Sequence, residues 1–146
     1  GSQHLTFIPG SPPKPGSYGW DVATARKGGS AGAASLILQT LLLPLALGGG
    51  ATMTIRGGTH VPWSPPYHYL ERVYLPPLAR MGVEAKVALE RWGWYPIGGG
   101  VLKAEVAGVR ASDPLYPLRA LDLQKRGRLL HLCGVSALSN LPSHIA

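Results

Sequence analysis

The sequence predicts an α/β fold, a sandwich in which two helices pack on one face of a four-stranded mixed sheet. The apolar patterns follow the order strand–strand–helix–strand–helix–strand–strand. The length of 146 residues suits one domain with a core of its own, and the apolar fraction of 45% is typical of globular proteins. The 20 glycines and 14 prolines indicate short elements joined by well-defined turns.

In the first half of the chain, alternating apolar residues predict strands over residues 3–8 and 17–24, with a turn-rich connection between them. The run Ala34–Leu47 predicts a buried helix. Its apolar part is about 12 residues long and contains Gln39 and Pro44, so it is too short to cross a membrane. Residues 51–56 predict the next strand.

In the second half, apolar residues at helical spacing predict a helix over residues 67–81, which Pro76 and Pro77 should kink or restart. Strands are predicted over 83–91, 101–109 and 128–138, and residues 139–146 resemble the start of a further helix. Five residues are expected to be mostly buried: Leu36, Leu38, Leu42, Val73 and Leu78.

The chain is basic, with 14 Lys and Arg against 7 Asp and Glu and a pI near 9.9. This balance favours a polyanionic partner such as nucleic acid or a nucleotide, although a basic surface without a partner fits equally well. The single cysteine, Cys133, excludes an internal disulfide and a thiolate cluster within the chain. It fits a reducing, cytoplasmic setting, and no signal peptide is visible at the first residues.

Three candidate sites follow from the residues themselves. Residues 26–32 (RKGGSAG) resemble a phosphate-cradling turn before a helix, or else a flexible loop. Gln39, in an apolar helix, is either a buried amide with partners or a residue at the solvent edge. His60 and His68 lack a carboxylate or thiol at ligand spacing, so no metal site is expected. No nucleophile and base pair can be argued, and no catalytic residue is assigned.

Two aromatic loops stand out. Residues 57–69 (GGTHVPWSPPYHY) hold too many prolines for a regular element and too many aromatics for an ordinary solvated loop. Residues 92–100 (WGWYPIGGG) predict either a wide hairpin with aromatics packed on the core, or a turn whose glycines let another backbone or an RNA approach closely.

Three stretches together resemble the RNA 3'-terminal phosphate cyclase family: SLILQTLLLPLAL (35–47), GGTHVPWSPPYHYLERVYLPPLARMG (57–82) and RWGWYPIGGGVLKAEV (91–106). The resemblance covers nearly the whole chain. It implies a two-helix, four-stranded repeat unit over residues 1–109, akin to enolpyruvyl transferases, then a connection and the first strand of a following domain over 110–146.

The resemblance also implies a ligase reaction. ATP and a divalent metal (Mg or Mn) serve to adenylate a histidine, AMP passes to an RNA 3'-phosphate, and the 2'-hydroxyl then closes a 2',3'-cyclic phosphate. Gln39 matches the family glutamine that contacts the adenylate. Pro66, with its neighbour Pro65, matches the proline that packs against adenine. The nucleophilic histidine and the metal ligands are expected outside this chain, which should therefore be inactive alone.

The chain departs from the family pattern in the longer segment 25–35 and at His60 and Val61. Two alternatives stay open: a non-catalytic, cyclase-like ribosome-biogenesis factor, and a basic RNA-binding module that uses the aromatic turn, residues 92–100. RNA 3' ends are the expected partner, and no membrane is expected to be one. Trp63, Trp92 and Trp94 are predicted to lie in loops, and self-association is expected through exposed apolar surface and the edge of strand 128–138.

Overall fold

The computed structural model describes residues 3–25, 31–110, 112, 116 and 118–145. One four-stranded sheet contains β1 (Gly16–Asp21), β2 (Gly50–Gly57), β3 (Ala85–Arg91) and β4 (Gly100–Ala107), in the order β1-β2-β4-β3. β1 pairs with β2 in parallel, and β4 pairs antiparallel with both β2 and β3. The sheet is therefore mixed, as predicted.

The first helix, α1 (Ala34–Leu47), connects the parallel strands β1 and β2 and begins and ends where the sequence predicts. It packs against β2 and β4. The buried residues Leu38, Leu42 and Leu45 recur at i, i+4 and i+7 and so share one face. Leu36 is 46% exposed, contrary to the prediction, because two residues before Leu38 is nearly the opposite side of a helix.

The second helix runs in three consecutive stretches: α2 (Tyr67–Tyr69), a π-helical turn (Leu70–Tyr74) and α3 (Leu75–Arg80). Pro76 and Pro77 lie in the first turn of α3, where the missing N–H groups cost least. The predicted restart at the proline pair is thus confirmed. Val73 is 53% exposed and Leu78 only partly buried, so the predicted burial of Val73 is wrong.

Both helices contribute to one core on one face of the sheet. Residues alternate along β2 and β4, so that Met53 and Leu102 point into the core while Thr52 and Lys103 are exposed. The two-helix, one-face architecture is confirmed. The buried side chains at its centre are Leu38, Leu42, Leu45, Met53, Ile55, Leu70, Val83, Leu102 and Val106.

Three predicted elements differ. Residues 3–8 and 128–138 form no strand, because neither segment joins the sheet of the described residues and nearly all of their side chains are exposed. The strand predicted over 17–24 ends at Asp21 and continues as a 3-10 turn, Val22–Ala25. Of the helix predicted after residue 138, only a 3-10 turn is present, Ser143–Ile145. The division into units 1–109 and 110–146 stays a prediction.

Candidate functional site

The loop between β2 and α2 is closed at its base by backbone hydrogen bonds. The Tyr67 N–H donates to the Thr59 carbonyl at 3.0 Å, which joins the two ends of the loop. The N–H groups of Thr59 and His60 both donate to the Gly93 carbonyl, at 2.9 and 3.0 Å. Residues 60–66, which we call the proline loop, are therefore fixed both to α2 and to the turn that follows β3.

The Thr59 side chain extends this closure into a chain of hydrogen bonds. It is fully buried, and its Oγ1 accepts from the Gly93 N–H at 2.9 Å. The hydroxyl lies 2.9 Å from His60 Nδ1 but 3.5 Å from the Gly93 carbonyl, so we assign its proton to the shorter contact. His60 then carries its proton on Nε2 and donates to His68 Nδ1, 3.1 Å away.

The same histidine stacks on the aromatic turn. The His60 ring lies 4.3 Å from the Trp92 ring with 23° between their planes, and 5.1 Å from Trp94. The two tryptophan rings are nearly parallel, 5.4 Å apart. The turn's tryptophans therefore pack on the histidine pair and not on the apolar core, which the hairpin interpretation of the sequence did not foresee.

Burial of the His60 ring and, to a smaller extent, the neighbouring His68 together lower the pKa of His60 from 6.5 to about 4. His60 is thus neutral at physiological pH, as the hydrogen-bond chain requires. The neutral His60, stacked on Trp92 and hydrogen-bonded to His68, is a structural clamp on the proline loop. No group of three or more His, Cys, Asp or Glu within the described ranges is arranged to hold a metal ion.

The predicted proline wall lies at the end of this loop. Pro65 is half-buried, and Pro66 is exposed immediately before α2, with an extended backbone (φ −70°, ψ 162°). The Pro66 carbonyl accepts from the N–H groups of Tyr69 and Leu70, at 3.0 and 3.3 Å. The ring is thus held in place while its face is open to a ligand.

Gln39 lies on α1, half-buried beside the fully buried Leu38. Its side chain makes no hydrogen bond within the part of the chain that the structure describes. The structure thus shows the second of the two possibilities, with the Gln39 amide at the solvent edge of the helix. Its donors and its acceptor remain available to a bound molecule.

The two predicted contact segments start from adjacent anchor points. The first N–H of α1, at Ala34, donates to the Gly58 carbonyl at 2.8 Å, and the Gly58 N–H donates to the Gly32 carbonyl at 2.8 Å. Thr59, the next residue, closes the proline loop. The start of α1 and the base of the proline loop therefore lie at the same end of the sheet, beside the end of β2. The rest of the predicted phosphate turn, residues 26–30, lies outside the described residues.

Glycines let these segments approach closely. A Cβ on Gly93 would collide with the Gly57 carbonyl and would lie 2.5 Å from the Gly100 nitrogen. A Cβ on Gly98 would lie 2.9 Å from the Ala31 Cα. The glycines of the turn therefore let other backbone segments of the same chain approach closely, which is part of the second interpretation of this turn.

A pocket of about 820 Å³ lies at the opposite end of β2, lined among others by Gly50, Lys86 and Glu105. It contains none of the predicted nucleotide contacts. Its walls are strand ends and exposed charged side chains, and it is distinct from the proline loop. None of the helices formed by the described residues has the length and apolar character that a membrane span requires.

The sequence pointed to the proline loop and Gln39 as candidates but did not reveal the network that supports the loop. Thr59 and Gly93 are 34 residues apart, and nothing in the sequence joins them. The sequence signal for this network was the position of His60 and His68, one at each end of the proline-rich loop. In the structure these two ends meet and the two rings form a hydrogen bond.

The comparisons with known proteins agree with one another. Residues 1–137 match the model of a family described as RNA 3'-terminal phosphate cyclase. Proteins of that name are 54% identical in Methylococcus capsulatus and 51% identical in Nostoc punctiforme, each over 99% of this chain, and 41% identical in Metallosphaera sedula over all of it. The chain spans 39–40% of the length of these three relatives.

Proposed function

Because this chain belongs to the RNA 3'-terminal phosphate cyclase family, we propose that it forms part of an ATP-dependent enzyme of the ligase class. The reaction converts an RNA 3'-phosphate into a 2',3'-cyclic phosphate through adenylated intermediates. Its partners are RNA 3' ends, and its proposed location is the cytoplasm. The nucleophilic histidine and the ligands of the divalent metal are proposed to come from residues outside this chain.

The clamped proline loop is the observation that supports this proposal. An adenine ring needs a flat apolar wall that does not move, and Pro66 offers one at the start of α2, with its carbonyl held by two N–H groups. The network of Thr59 and His60 restrains the other end of the loop. Little conformational entropy is then lost when the nucleotide binds.

Gln39 supplies the polar contact in this proposal. Its amide, unpaired within the described residues, can donate to and accept from the adenylate. The basic balance of the chain, 14 cations against 7 anions, adds a long-range attraction for both ATP and RNA. The chain's own residues thus bind and orient the nucleotide, and the covalent chemistry is proposed to take place on other residues of the enzyme.

The test is the rate of adenylation in the complete enzyme at subsaturating ATP. Gln39→Ala should slow it about ten- to a hundredfold, since a lost polar contact to a buried ligand costs roughly 1–3 kcal/mol. Gln124→Ala is the matched control, because Gln124 is exposed and bonds only to Asp122 within the described chain. Equal rates for wild type and Gln39→Ala would contradict the proposal.

A second variant tests the wall. Pro66→Gly should cost about 1 kcal/mol of nucleotide binding, through lost packing and added loop freedom. It should raise the KM for ATP without abolishing the reaction. An unchanged KM would mean that the proline loop has only a structural role. If the intact wild-type enzyme binds RNA but forms no adenylate, the non-catalytic alternative is correct.

A further inference from the structure

Trp63 is the most exposed large apolar residue of the proline loop, with 99% of its surface accessible. Its backbone is also left-handed, with φ at +63°. Bulky side chains rarely adopt this conformation, and glycine or asparagine would serve the turn better. Neither burial nor local backbone preference explains a tryptophan here, so its presence points to a ligand.

The indole is presented on a rigid support. Pro62 and Pro65 restrict the backbone on both sides, and the Ser64 hydroxyl donates to the Val61 carbonyl at 3.1 Å across the turn. Because the loop base is clamped as well, Trp63 is held outward by its backbone and not by packing. Because the backbone that carries the ring is already ordered, only the side-chain rotation of Trp63 has to be restricted when another ring stacks on it.

We propose that Trp63 is the stacking platform for the 3'-terminal base of the RNA substrate. This inference rests on the proposed function, since it places the RNA end beside the adenylate. Trp63 is three residues from Pro66, so their Cα atoms are at most about 11 Å apart. That separation is compatible with one nucleotide whose base lies on the indole while its 3'-phosphate faces the adenylate.

The surroundings favour a nucleobase over an apolar protein surface. Stacking on an exposed aromatic ring, combined with a basic protein, is the usual way to bind single-stranded RNA without sequence preference. The chain has a formal charge of +7. The β-bridge between His60 and Trp94 also places the aromatic turn beside the proline loop. Tyr95 of that turn is 72% exposed and can contact the same RNA strand.

The experiment measures binding of a short single-stranded RNA with a 3'-phosphate to the complete enzyme. Trp63→Asn removes the indole and keeps a residue that tolerates the left-handed backbone. It should weaken binding roughly five- to 150-fold, the range for one stacked base. Trp63→Phe should keep most of the affinity. Phe7→Ala, which removes another exposed aromatic ring, should change nothing.

A second RNA, abasic at its 3'-terminal nucleotide, identifies the base that stacks. Wild type should lose as much affinity for this RNA as Trp63→Asn loses for the normal one, and the two losses should not add. Additive losses, equal affinities of Trp63→Asn and wild type, or equal losses in Trp63→Asn and Trp63→Phe would each overturn the proposal. A clear fall in the melting temperature of Trp63→Asn would show that protein covers the indole instead.

Adenylation separates this inference from the function on which it rests. Adenylate formation by the wild-type enzyme, measured without RNA, tests the proposed function alone. If wild type itself forms no adenylate, the proposed function fails, whatever the RNA-binding result. If adenylation is normal and Trp63→Asn binds RNA like wild type, only the stacking platform is wrong.

Discussion

At the scale of single residues, the burial of polar groups has the clearest consequences. His60 and Thr59 show two outcomes of burial: the histidine gives up its charge, and the threonine finds partners for its hydroxyl. Ser35 does neither. It is fully buried in the first turn of α1, and its hydroxyl has no partner among the described residues.

Protonation of His60 should make the stability of the chain depend on pH. The pKa of His60 is about 4 in the native state, below its ordinary value of 6.5. Between pH 4 and pH 6.5 the unfolded state therefore binds a proton that the native state does not. Stability from the neutral ring is therefore fully present above pH 6.5 and is lost as the pH falls toward 4. The half-exposed ring is partly solvated, so we expect a loss of about 1–2 kcal/mol.

Urea unfolding at several pH values checks this. Carboxylates titrate in the same pH range, so the quantity to follow is the difference in the free energy of unfolding between wild type and His60→Gln. That difference should shrink as the pH falls from 6.5 to 4. A difference that stays constant would mean that the native state does not hold the ring neutral.

Ser35→Ala should raise the free energy of unfolding by about 1 kcal/mol. It removes a buried hydroxyl that has lost its hydration without gaining a partner, and alanine favours the helix. Ser64→Ala is the control with the opposite sign, because its hydroxyl donates to the Val61 carbonyl. A stability loss in Ser35→Ala, measured by denaturant unfolding, would show that the hydroxyl is paired in the native protein.

At the scale of elements, the strands and the aromatic turn depend on close backbone contact. Gly93 lies where the turn meets the ends of β2 and β4, and a side chain there would collide with the backbone of Gly57 and Gly100. The proline loop depends on the same point, since the Gly93 carbonyl accepts from two N–H groups at its base.

Gly93→Ala should therefore destabilise the chain by about 1–3 kcal/mol or more, because backbone atoms cannot move aside as a flexible side chain can. Gly134→Ala, where a Cβ would have no neighbour within 4 Å, is the matched control and should be nearly neutral. Thermal unfolding of the two variants distinguishes them. Similar melting temperatures would contradict the close approach.

At the scale of the whole molecule, apolar surface remains exposed. Leu36 and Leu47 lie on the outer side of α1, and residues 129–135 include several exposed side chains without a regular element around them. The edges of the sheet are β1 and β3. Residues 128–138 form no strand, so the structure does not support the predicted edge-to-edge pairing through that segment.

We still expect the chain to self-associate, now through this apolar segment. The double variant Leu130→Lys with Leu132→Lys should reduce association, since both leucines are 86% exposed. Sedimentation at increasing concentration measures it. A strictly monomeric wild type would contradict the expectation.

We also expect the isolated chain to form no covalent adenylate and to cyclise no RNA ends. The proposed nucleophile lies outside it, and binding residues alone cannot supply the bond-forming group. Incubation with α-labelled ATP, followed by denaturing electrophoresis, checks this. A labelled band at the mass of the chain would place the nucleophile among its own residues.

The sequence by itself determined the elements whose periodicity is local. α1, β2 and the restart of the second helix at the proline pair follow from apolar spacing and proline chemistry within a few residues, whereas Pro65, Pro66 and Gln39 became candidate nucleotide contacts through the family resemblance. Only the tertiary structure decided the rest, because it depends on partners distant along the chain. Residues 3–8 alternate like a strand but do not join the sheet, and Leu36 is apolar but faces outward. Thr59, His60 and Gly93 become one clamp only when β2 and the aromatic turn meet, across 34 residues that no local pattern joins.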